Sequence, residues 1–314
     1  MMIVKVRNLV KRYKELIALD HLNMEVEEGE ILGLLGPNGC GKTTAINCIL
    51  SLLNYDKGEI ELFGERMTPN SYRLKRQIGM VPQEVSVFEN LTVMENIDYF
   101  CGLYIDDKKL RQQYVKEAIE FVGLRDYIKF YPKKLSGGLR RRLNIACGIA
   151  HKPKLIFLDE PTVAVDAQSR NFILDGIKRL NQEGSTIIYT THYLEEAEML
   201  CKRIIIMDRG KNLVSGTNEE LKAMITTTEK IVVGFLAIAN EKAEEIKKIL
   251  CAAHGIDIEK REDDYIIKFE NGLNNLSNLL EFIKENNLTY TKLYSQLPTL
   301  NDVFLELTGK ELRD

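Results

Sequence analysis

One eight-residue segment constrains the fold of this chain more than any other. It reads Gly-Pro-Asn-Gly-Cys-Gly-Lys-Thr and matches the phosphate-binding loop G-x-x-x-x-G-K-[S/T] at every defined position. Residues 31–35 predict a buried strand before the loop, and residues 43–53 predict a helix after it. Glycines let successive N–H groups turn toward phosphate oxygens, and the helix N-terminus adds partial positive charge. The sequence therefore predicts a nucleoside triphosphate site at Gly36, Pro37, Asn38, Gly39, Cys40, Gly41, Lys42, Thr43 and Thr44.

An acidic pair, Asp159 and Glu160, ends a second apolar run. Beside the phosphate-binding loop, Asp159 and the Thr43 hydroxyl can hold Mg²⁺, while Lys42 can reach the β- and γ-phosphates. Glu160 is then placed to polarise a water for in-line attack on the γ-phosphate. The alternative is a solvated strand end. Two adjacent acids after a buried strand, in a chain that already holds a phosphate-binding loop, favour the catalytic interpretation.

Composition and charge limit the class of protein. The chain has 314 residues, of which 45% are hydrophobic and 28% charged, enough for one large or two modest domains. A net charge of −3 at pH 7 does not suggest a nucleic-acid partner. No apolar run approaches the roughly 20 residues that span a bilayer, and the first residues lack the basic-then-apolar pattern of a signal peptide, so a cytoplasmic protein is expected. Six cysteines and four histidines are scattered without zinc-ligand spacing, so reduced thiols in the cytoplasm are expected.

The order of predicted elements indicates two domains. Strands alternate with helices over residues 1–224, as expected for an α/β core with a parallel sheet. Residues 229–314 read β-α-β-β-α-β, the split, ferredoxin-like pattern of a small α+β domain. Its strands are predicted near 231–236, 256–260, 265–269 and 289–294, its helices near 241–253 and 273–286, and a last helix at 299–310.

A second candidate anion site begins another predicted helix. Ser136 resembles a helix N-cap, and Gly137 and Gly138 leave backbone N–H groups open. Alone, this pattern would be interpreted as a serine cap with a glycine turn. The three arginines that follow at 140–142 are predicted to form a polar helix face that packs against acids or near an interface between copies, not a nucleic-acid contact.

Together these segments resemble the ATP-binding subunit of ABC transporters, a P-loop NTPase fold, over residues 2–220. Leu-Ser-Gly-Gly at 135–138 matches the family signature, within a helical subdomain of about 84–150. By resemblance, Tyr13 stacks on adenine, Gln83 senses Mg²⁺ and contacts the membrane partner, Asp166 is the D-loop aspartate, and His192 contacts the γ-phosphate. Tyr13, Gln83 and His192 each have a plainer alternative, namely a strand aromatic, a turn residue and a strand-end histidine.

The resemblance also implies a mechanism and partners. Two copies, identical or different, pair head to tail and hold ATP and Mg²⁺ between the phosphate-binding loop of one and the signature of the other. Closure then depends on the γ-phosphate. Multi-pass membrane permease subunits are expected to dock on residues 84–92, at the cytoplasmic face of the cell membrane, and no nucleic acid is expected.

The branch indicated is that of drug- and lipid-exporting systems with separate membrane subunits. Pro-Gln-Glu at 82–84, Arg-Arg-Leu at 141–143 and the ending at 300–309 resemble that branch. Two alternatives stay open. One is a non-transport ABC ATPase acting in translation or on DNA, although the single cassette and the lack of a coiled coil disfavour it. The other is a weakly hydrolysing regulatory subunit.

The sequence departs from the family pattern in three places. Leu139 stands where glutamine is commoner in the signature, and Ala164-Val165 stand where glycine-leucine usually precede the D-loop aspartate. Loss of the glycine is expected to alter communication between the two ATP sites. Cys40 replaces the usual serine or alanine. We hypothesise that its alkylation blocks nucleotide entry and that ATP protects it, the alternative being a shielded filler.

Overall fold

The computed structural model describes residues 1–225, 229–235, 257–261, 264–269 and 275–309. The chain forms two compact units, which divide between Asn218 and Glu219. The first contains two sheets and most of the helices. The second contains one sheet and is described separately below.

A six-stranded mixed sheet forms the centre of the first unit. Its strand order is β10-β9-β3-β8-β7-β6, and every neighbouring pair is parallel apart from β10 with β9. The three middle strands β3, β8 and β7 are buried at every position, which explains their continuous apolar sequences. Their carboxyl ends meet at one edge, where the predicted site residues follow. The bounds are β3 Ile31–Leu35, β6 Ile78–Val81, β7 Leu155–Asp159, β8 Thr186–Thr191, β9 Arg203–Asp208 and β10 Lys211–Gly216.

An antiparallel sheet of order β2-β1-β4-β5 accompanies it. Lys5, on the central strand β1, lies opposite Glu25 of β2 on one side and Glu61 of β4 on the other, and such opposite-charge pairs stabilise neighbouring strands. The apolar face of this sheet packs into the same core as β3. The bounds are β1 Met2–Tyr13, β2 Leu16–Glu27, β4 Lys57–Leu62 and β5 Glu65–Arg66.

Four of the helices in this unit begin at a residue whose side chain caps them. Thr92 and Glu95 form a capping box on α3, and Asp107, Ser136 and Asp166 accept hydrogen bonds at the starts of α4, α5 and α6. α1 ends earlier than predicted, because Ser51 adopts a left-handed backbone with φ of 51°. Helix α7 and strand β10 have no counterpart among the predicted elements. The helices are α1 Lys42–Ile49, α2 Tyr72–Lys75, α3 Val93–Gly102, α4 Lys108–Phe121, α5 Gly137–Ile149, α6 Ala167–Gln182, α7 Leu194–Leu200 and α8 Asn218–Lys222.

The second unit contains an antiparallel sheet of order β12-β13-β11-β14. Aromatic and branched side chains from the sheet and from α9 form its core. The predicted strands and the predicted second and last helices are present, within a few residues of the expected bounds. The predicted helix 241–253 lies outside the described residues. The elements are β11 Glu229–Phe235, β12 Asp257–Arg261, β13 Asp264–Phe269, β14 Tyr290–Gln296, α9 Asn275–Glu285 and α10 Leu300–Thr308.

A buried ion pair ties β11 to α10 in this unit. Lys230 Nζ lies 2.7 Å from Asp302 Oδ2, and both side chains are about nine-tenths buried. Burial alone would raise the pKa of Asp302, but hydrogen bonds from Lys230 and Thr299 outweigh it and hold the pKa below its usual value. The stabilisation is therefore present at neutral pH and is lost as the pH falls below about 4.

We expect Lys230→Met to lower the free energy of unfolding of this unit by roughly 3 kcal/mol at pH 7, because it leaves the Asp302 carboxylate buried without its charge partner. Denaturant titration would measure the change. Lys284→Met, at an exposed position on α9, is the control and should stay within about 0.5 kcal/mol of wild type. Equal effects of the two substitutions would contradict the importance of the pair.

Candidate functional site

The phosphate-binding loop connects β3 to α1 in the geometry that the motif predicts. Gly39 and Gly41 have φ angles of 80° and 110°, a region that favours glycine. Gly36 has no room for a side chain, since an added Cβ would lie 2.4 Å from the carbonyl oxygen of Met207. The loop is therefore held close to β9 while its glycines turn the backbone. Thr44 is partly buried in the first turn of α1.

Lys42 and Glu160 form a buried ion pair at the centre of the site. Lys42 Nζ lies 3.1 Å from Glu160 Oε1 and donates hydrogen bonds to the carbonyl oxygens of Gly36 and Pro37, at 2.7 and 3.2 Å. Glu160 Oε2 lies 2.9 Å from His192 Nδ1. Glu160 also has a φ of 47°, a strained conformation of the kind that clusters at functional sites. The structure thus brings together all three residues predicted to be catalytic.

Two threonines hold Asp159. Thr43 Oγ1 donates to Asp159 Oδ2 at 2.7 Å, and Thr190 Oγ1 donates to Asp159 Oδ1 at 2.6 Å. Thr190 Oγ1 also accepts a hydrogen bond from the backbone N–H of Glu160 at 2.9 Å. Thr190 was not among the predicted site residues, although its place two residues before His192, after an apolar run, was a usable signal.

The segment that begins at Gln83 is fixed by helix α5. Arg141 donates to the carbonyl oxygens of Pro82 and Gln83 at 3.0 and 2.6 Å, and Asn144 donates to Pro82 O and accepts from the backbone N–H of Ser86. Burial lowers the pKa of Arg141, whose partners here are carbonyl groups. The Gln83 side chain is exposed and forms no hydrogen bond with Thr43 or Asp159, all three of which the structure describes. Arg141, predicted to lie on a polar helix face that packs against acids or near the dimer interface, is therefore buried and packs against carbonyl oxygens.

The signature at 135–138 contacts the D-loop of the same chain. Ser136 Oγ accepts a hydrogen bond from Leu139 N–H at 3.3 Å, as expected for a helix cap. A Cβ on Gly138 would lie 2.2 Å from Ser169 Oγ and 2.9 Å from Asp166 Oδ2. Asp166 in turn caps α6 by accepting from Ser169 N–H at 2.9 Å. Gly138 is therefore required for the close approach of α5 and α6, whereas Ser136 and Gly137 are exposed.

Two further residues of the predicted site are Tyr13, at the end of β1, and Cys40, within the loop itself. Tyr13 is 47% exposed at the end of β1, with Lys11 Nζ 5.0 Å from its ring centroid. Lys11 pairs with Leu19, whose side chain packs beside Gly41, so the β1–β2 hairpin approaches the loop. Cys40 is 3% exposed, and burial raises the pKa of its thiol. The structure thus favours the shielded filler and argues against alkylation of Cys40 in this conformation.

Similarity to known proteins decides the family. A family profile described as ABC transporter matches residues 19–163, and one described as the C-terminal domain of DrrA1-3-like ATP-binding proteins matches residues 216–308. The chain is 34% identical to the linearmycin resistance ATP-binding protein LnrL of Bacillus subtilis, over 99% of this chain and 100% of that protein. It belongs to the ATP-binding subunits of ABC transporters.

Other relatives place this ABC transporter ATPase in the drug-resistance exporter branch. It is 32% identical to the daunorubicin resistance ATP-binding protein DrrA3 of Streptomyces coeruleorubidus, over 96% of this chain and 95% of that protein. The dimeric structure of the cassette MJ0796 bound to ADP and Pi superimposes with a TM-score of 0.63 at 28% identity, covering 68% of this chain and 98% of that one. In the described part of the ABC subunit, no helix is both long enough and apolar enough to cross a membrane.

The D-loop of this ABC subunit contains a strained alanine. Ala164 has a φ of 57°, in the left-handed region where glycine is favoured. We expect Ala164→Gly to raise the free energy of unfolding by about 1 kcal/mol, since the strain removed exceeds the added freedom of the unfolded chain. Thermal and denaturant unfolding would measure it. Ala118→Gly, inside α4, should instead lower stability by about 1 kcal/mol; a loss of stability in both variants would contradict the strain.

Proposed function

We propose that this subunit powers the export of a drug, lipid-like or other amphipathic compound through separate membrane subunits. The similarity to LnrL along the full chain, including the C-terminal region, carries this proposal. Relatives are named for linearmycin resistance, daunorubicin resistance and Nod factor export. Because these relatives are named for different compounds, the proposal covers a class of amphipathic substrates and not one molecule.

The buried acids and the loop fit binding of ATP with Mg²⁺. Thr43 Oγ1 and Asp159 Oδ2, 2.7 Å apart, supply the oxygen ligands that Mg²⁺ prefers, and Gln83 is proposed to join them when its segment moves. Mg²⁺, when bound, neutralises charge on the β- and γ-phosphates. Lys42 is proposed to leave the carbonyl oxygens of Gly36 and Pro37 and to bind phosphate oxygens instead.

Glu160 is proposed to be the general base. Its Oε1 is buried and, among the residues that the structure describes, contacts only Lys42 through the ion pair, while Oε2 is held by His192. Once Lys42 turns to the phosphates, Oε1 is free to accept a proton from water. The water oxygen adds to the γ-phosphorus, the bond to the β-phosphate oxygen breaks, and ADP and phosphate form. His192 orients Glu160 and reaches the γ-phosphate.

Two copies are proposed to close over ATP head to tail. Ser136 and Gly137 are exposed at the N-terminus of the 13-residue helix α5, where open N–H groups suit a phosphate from the other copy. Asp166 lies beside them and would face the same interface. Tyr13, exposed near the loop, is proposed to stack on adenine. The pair can be a homodimer or a heterodimer.

An exposed aromatic surface supports docking of a permease subunit at the cytoplasmic face of the membrane. Phe88 is 45% exposed, and its ring lies 4.8 Å from Tyr99 and 5.8 Å from Phe100, centroid to centroid. Phe100 and Ser86 also line a cavity of about 310 Å³ between α3, α5 and β6. Exposed apolar groups beside a cavity suit an inserted partner helix.

We further propose domain limits of 1–224 for the ATP-binding domain and 229–314 for an accessory domain. The strand order β12-β13-β11-β14 with antiparallel neighbours supports a ferredoxin-like fold for the latter. Its role is proposed to be dimer stabilisation or regulation.

Affinity purification of the tagged chain from native membranes tests the export proposal. Mass spectrometry should identify a multi-pass membrane protein, and the Phe88→Ser variant should lose it. Leu213→Ser, at another exposed apolar position on β10, is the control and should keep it. Recovery of ribosomes or DNA-bound proteins without a membrane protein would refute the proposal.

A further inference from the structure

A buried carboxylate on α7 takes no part in the contacts proposed above. Glu196 is 3% exposed, and its Oε2 accepts hydrogen bonds from three hydroxyl groups. The distances are 2.6 Å from Tyr189, 2.9 Å from Thr162 and 3.1 Å from Thr191. Hydrogen bonds to an ionised acceptor are stronger than neutral ones. Glu196 and its three hydroxyl donors, here called the Glu196 network, are therefore held firmly together.

Two of these donors belong to the segments that carry the proposed catalytic side chains. Thr162 follows Glu160 in the turn between β7 and α6, and Thr191 immediately precedes His192. Thr191 Oγ1 also accepts a hydrogen bond from the backbone N–H of Tyr193 at 2.9 Å. His192 is thus fixed on both sides, and the turn that holds Glu160 is fixed to the same carboxylate.

The other oxygen of Glu196 faces the beginning of α6. Its Oε1 lies 3.6 Å from Arg170 Nε, and neither atom has a hydrogen-bond partner among the described residues. The Arg170 guanidinium carbon lies 4.8 Å from the centroid of the Tyr193 ring. The backbone N–H of Arg170 donates a hydrogen bond to the carbonyl oxygen of Asp166 at 2.8 Å. The ion pair between Arg170 and Glu196, at 3.6 Å, is longer than a charge-assisted hydrogen bond, which is about 2.8 Å. The distance between the two side chains can therefore shorten.

We propose that Glu196 is a positioning residue that couples the D-loop, residues 163–166, to Glu160 and His192. The proposal rests on the proposed function, because it takes these two residues to be the base and its orienting partner. A shift of the α6 N-terminus changes the contact between Arg170 and Glu196, and the hydroxyl bonds carry the shift to the catalytic segments. Since a misplacement of about 1 Å can cost roughly 10²-fold in rate, a small shift is sufficient.

Turnover and nucleotide affinity of the full chain, measured separately, test the coupling. Glu196→Gln keeps the shape of the side chain but removes its charge, so we expect kcat to fall about 10-fold while the Kd for ATP changes less than about 2-fold. Glu195→Gln, exposed on the same helix, is the matched control and should match wild type. Arg170→Met should also lower kcat, and combining it with Glu196→Gln should add little, because both act through one contact.

Hydrogen exchange provides a readout that needs no turnover. In the full chain, with and without ATP, Glu196→Gln should speed exchange in the two segments 160–166 and 190–195, whereas Glu195→Gln should not. Faster exchange throughout the chain would overturn the proposal, because it would show that Glu196 only stabilises the fold. Unchanged exchange in both segments would also overturn it, because it would show that Glu196 does not hold these segments.

The controls also separate the two levels of inference. If Glu160→Gln and His192→Ala abolish turnover while Glu196→Gln keeps the wild-type kcat, the coupling is wrong and the proposed function stands. If Glu160→Gln and His192→Ala turn over ATP like wild type, the proposed roles of those two residues are wrong.

Discussion

Glu160→Gln is expected to slow ATP hydrolysis by about 10²-fold or more, because the amide cannot accept the proton of the attacking water. The side chain keeps its shape, and its oxygen can still accept a hydrogen bond from Lys42, which lies 3.1 Å from Glu160 Oε1 in the wild type. ATP binding should therefore persist. Phosphate release measured at saturating ATP and Mg²⁺ gives the rate, and equilibrium titration gives the affinity.

The same variant should also accumulate as an ATP-dependent dimer. The dimer is proposed to open only after ATP is hydrolysed, and this variant hydrolyses ATP slowly. Size-exclusion chromatography with and without ATP would detect it. Glu183→Gln, exposed just after α6, is the matched control and should hydrolyse ATP like wild type. Equal rates for wild type and Glu160→Gln would refute Glu160 as the base and would leave the weakly hydrolysing regulatory subunit as the better description.

Lys42→Met is expected to weaken ATP binding by about 10²-fold, because it removes a charged donor worth roughly 1.5–3 kcal/mol for each phosphate hydrogen bond. Methionine keeps most of the apolar stem, which is buried in the wild type, so lost packing contributes little. Isothermal titration with MgATP measures the change in Kd.

Lys202→Met is the control for this substitution, since it removes a lysine from an exposed position. It should leave the Kd within about 2-fold of wild type, as expected for a surface change away from the site. Removal of Mg²⁺ with a chelator should weaken binding in wild type far more than in Lys42→Met, where phosphate contacts are already lost. An unchanged Kd in Lys42→Met would show that Lys42 does not bind phosphate.

Local sequence predicted much of the first unit. The strand at 31–35 and the turn at Gly39–Gly41 follow from an apolar run and from residues that accept positive φ, so their prediction was confirmed. The end of α1 was predicted too late, because the left-handed backbone at Ser51 has no glycine to signal it. The residue before helix α7 is Tyr193, whose side chain makes no capping hydrogen bond to the described residues, so no local signal marks where this helix begins.

The chemical neighbourhood of each side chain was harder to predict. The sequence left open whether the Cys40 thiol is reactive or shielded, and only its burial in the core of the first unit favours a shielded thiol. Arg141 appeared as one of three charged residues on a helix, yet its carbonyl partners at 82 and 83 make it a buried clamp. Such outcomes depend on contacts between segments far apart in the chain.

The sequence by itself determined that the chain has a phosphate-binding loop after a buried strand, an acidic pair after another, and a capped signature helix, because each depends on residues adjacent in the chain. Only the tertiary structure decided that β3 lies between β8 and β9 and that Thr43 meets Asp159, which is 116 residues away. It also decided that Glu196 accepts three hydroxyl bonds. Strand order in a parallel sheet depends on how crossover helices pack, and no local pattern records that choice.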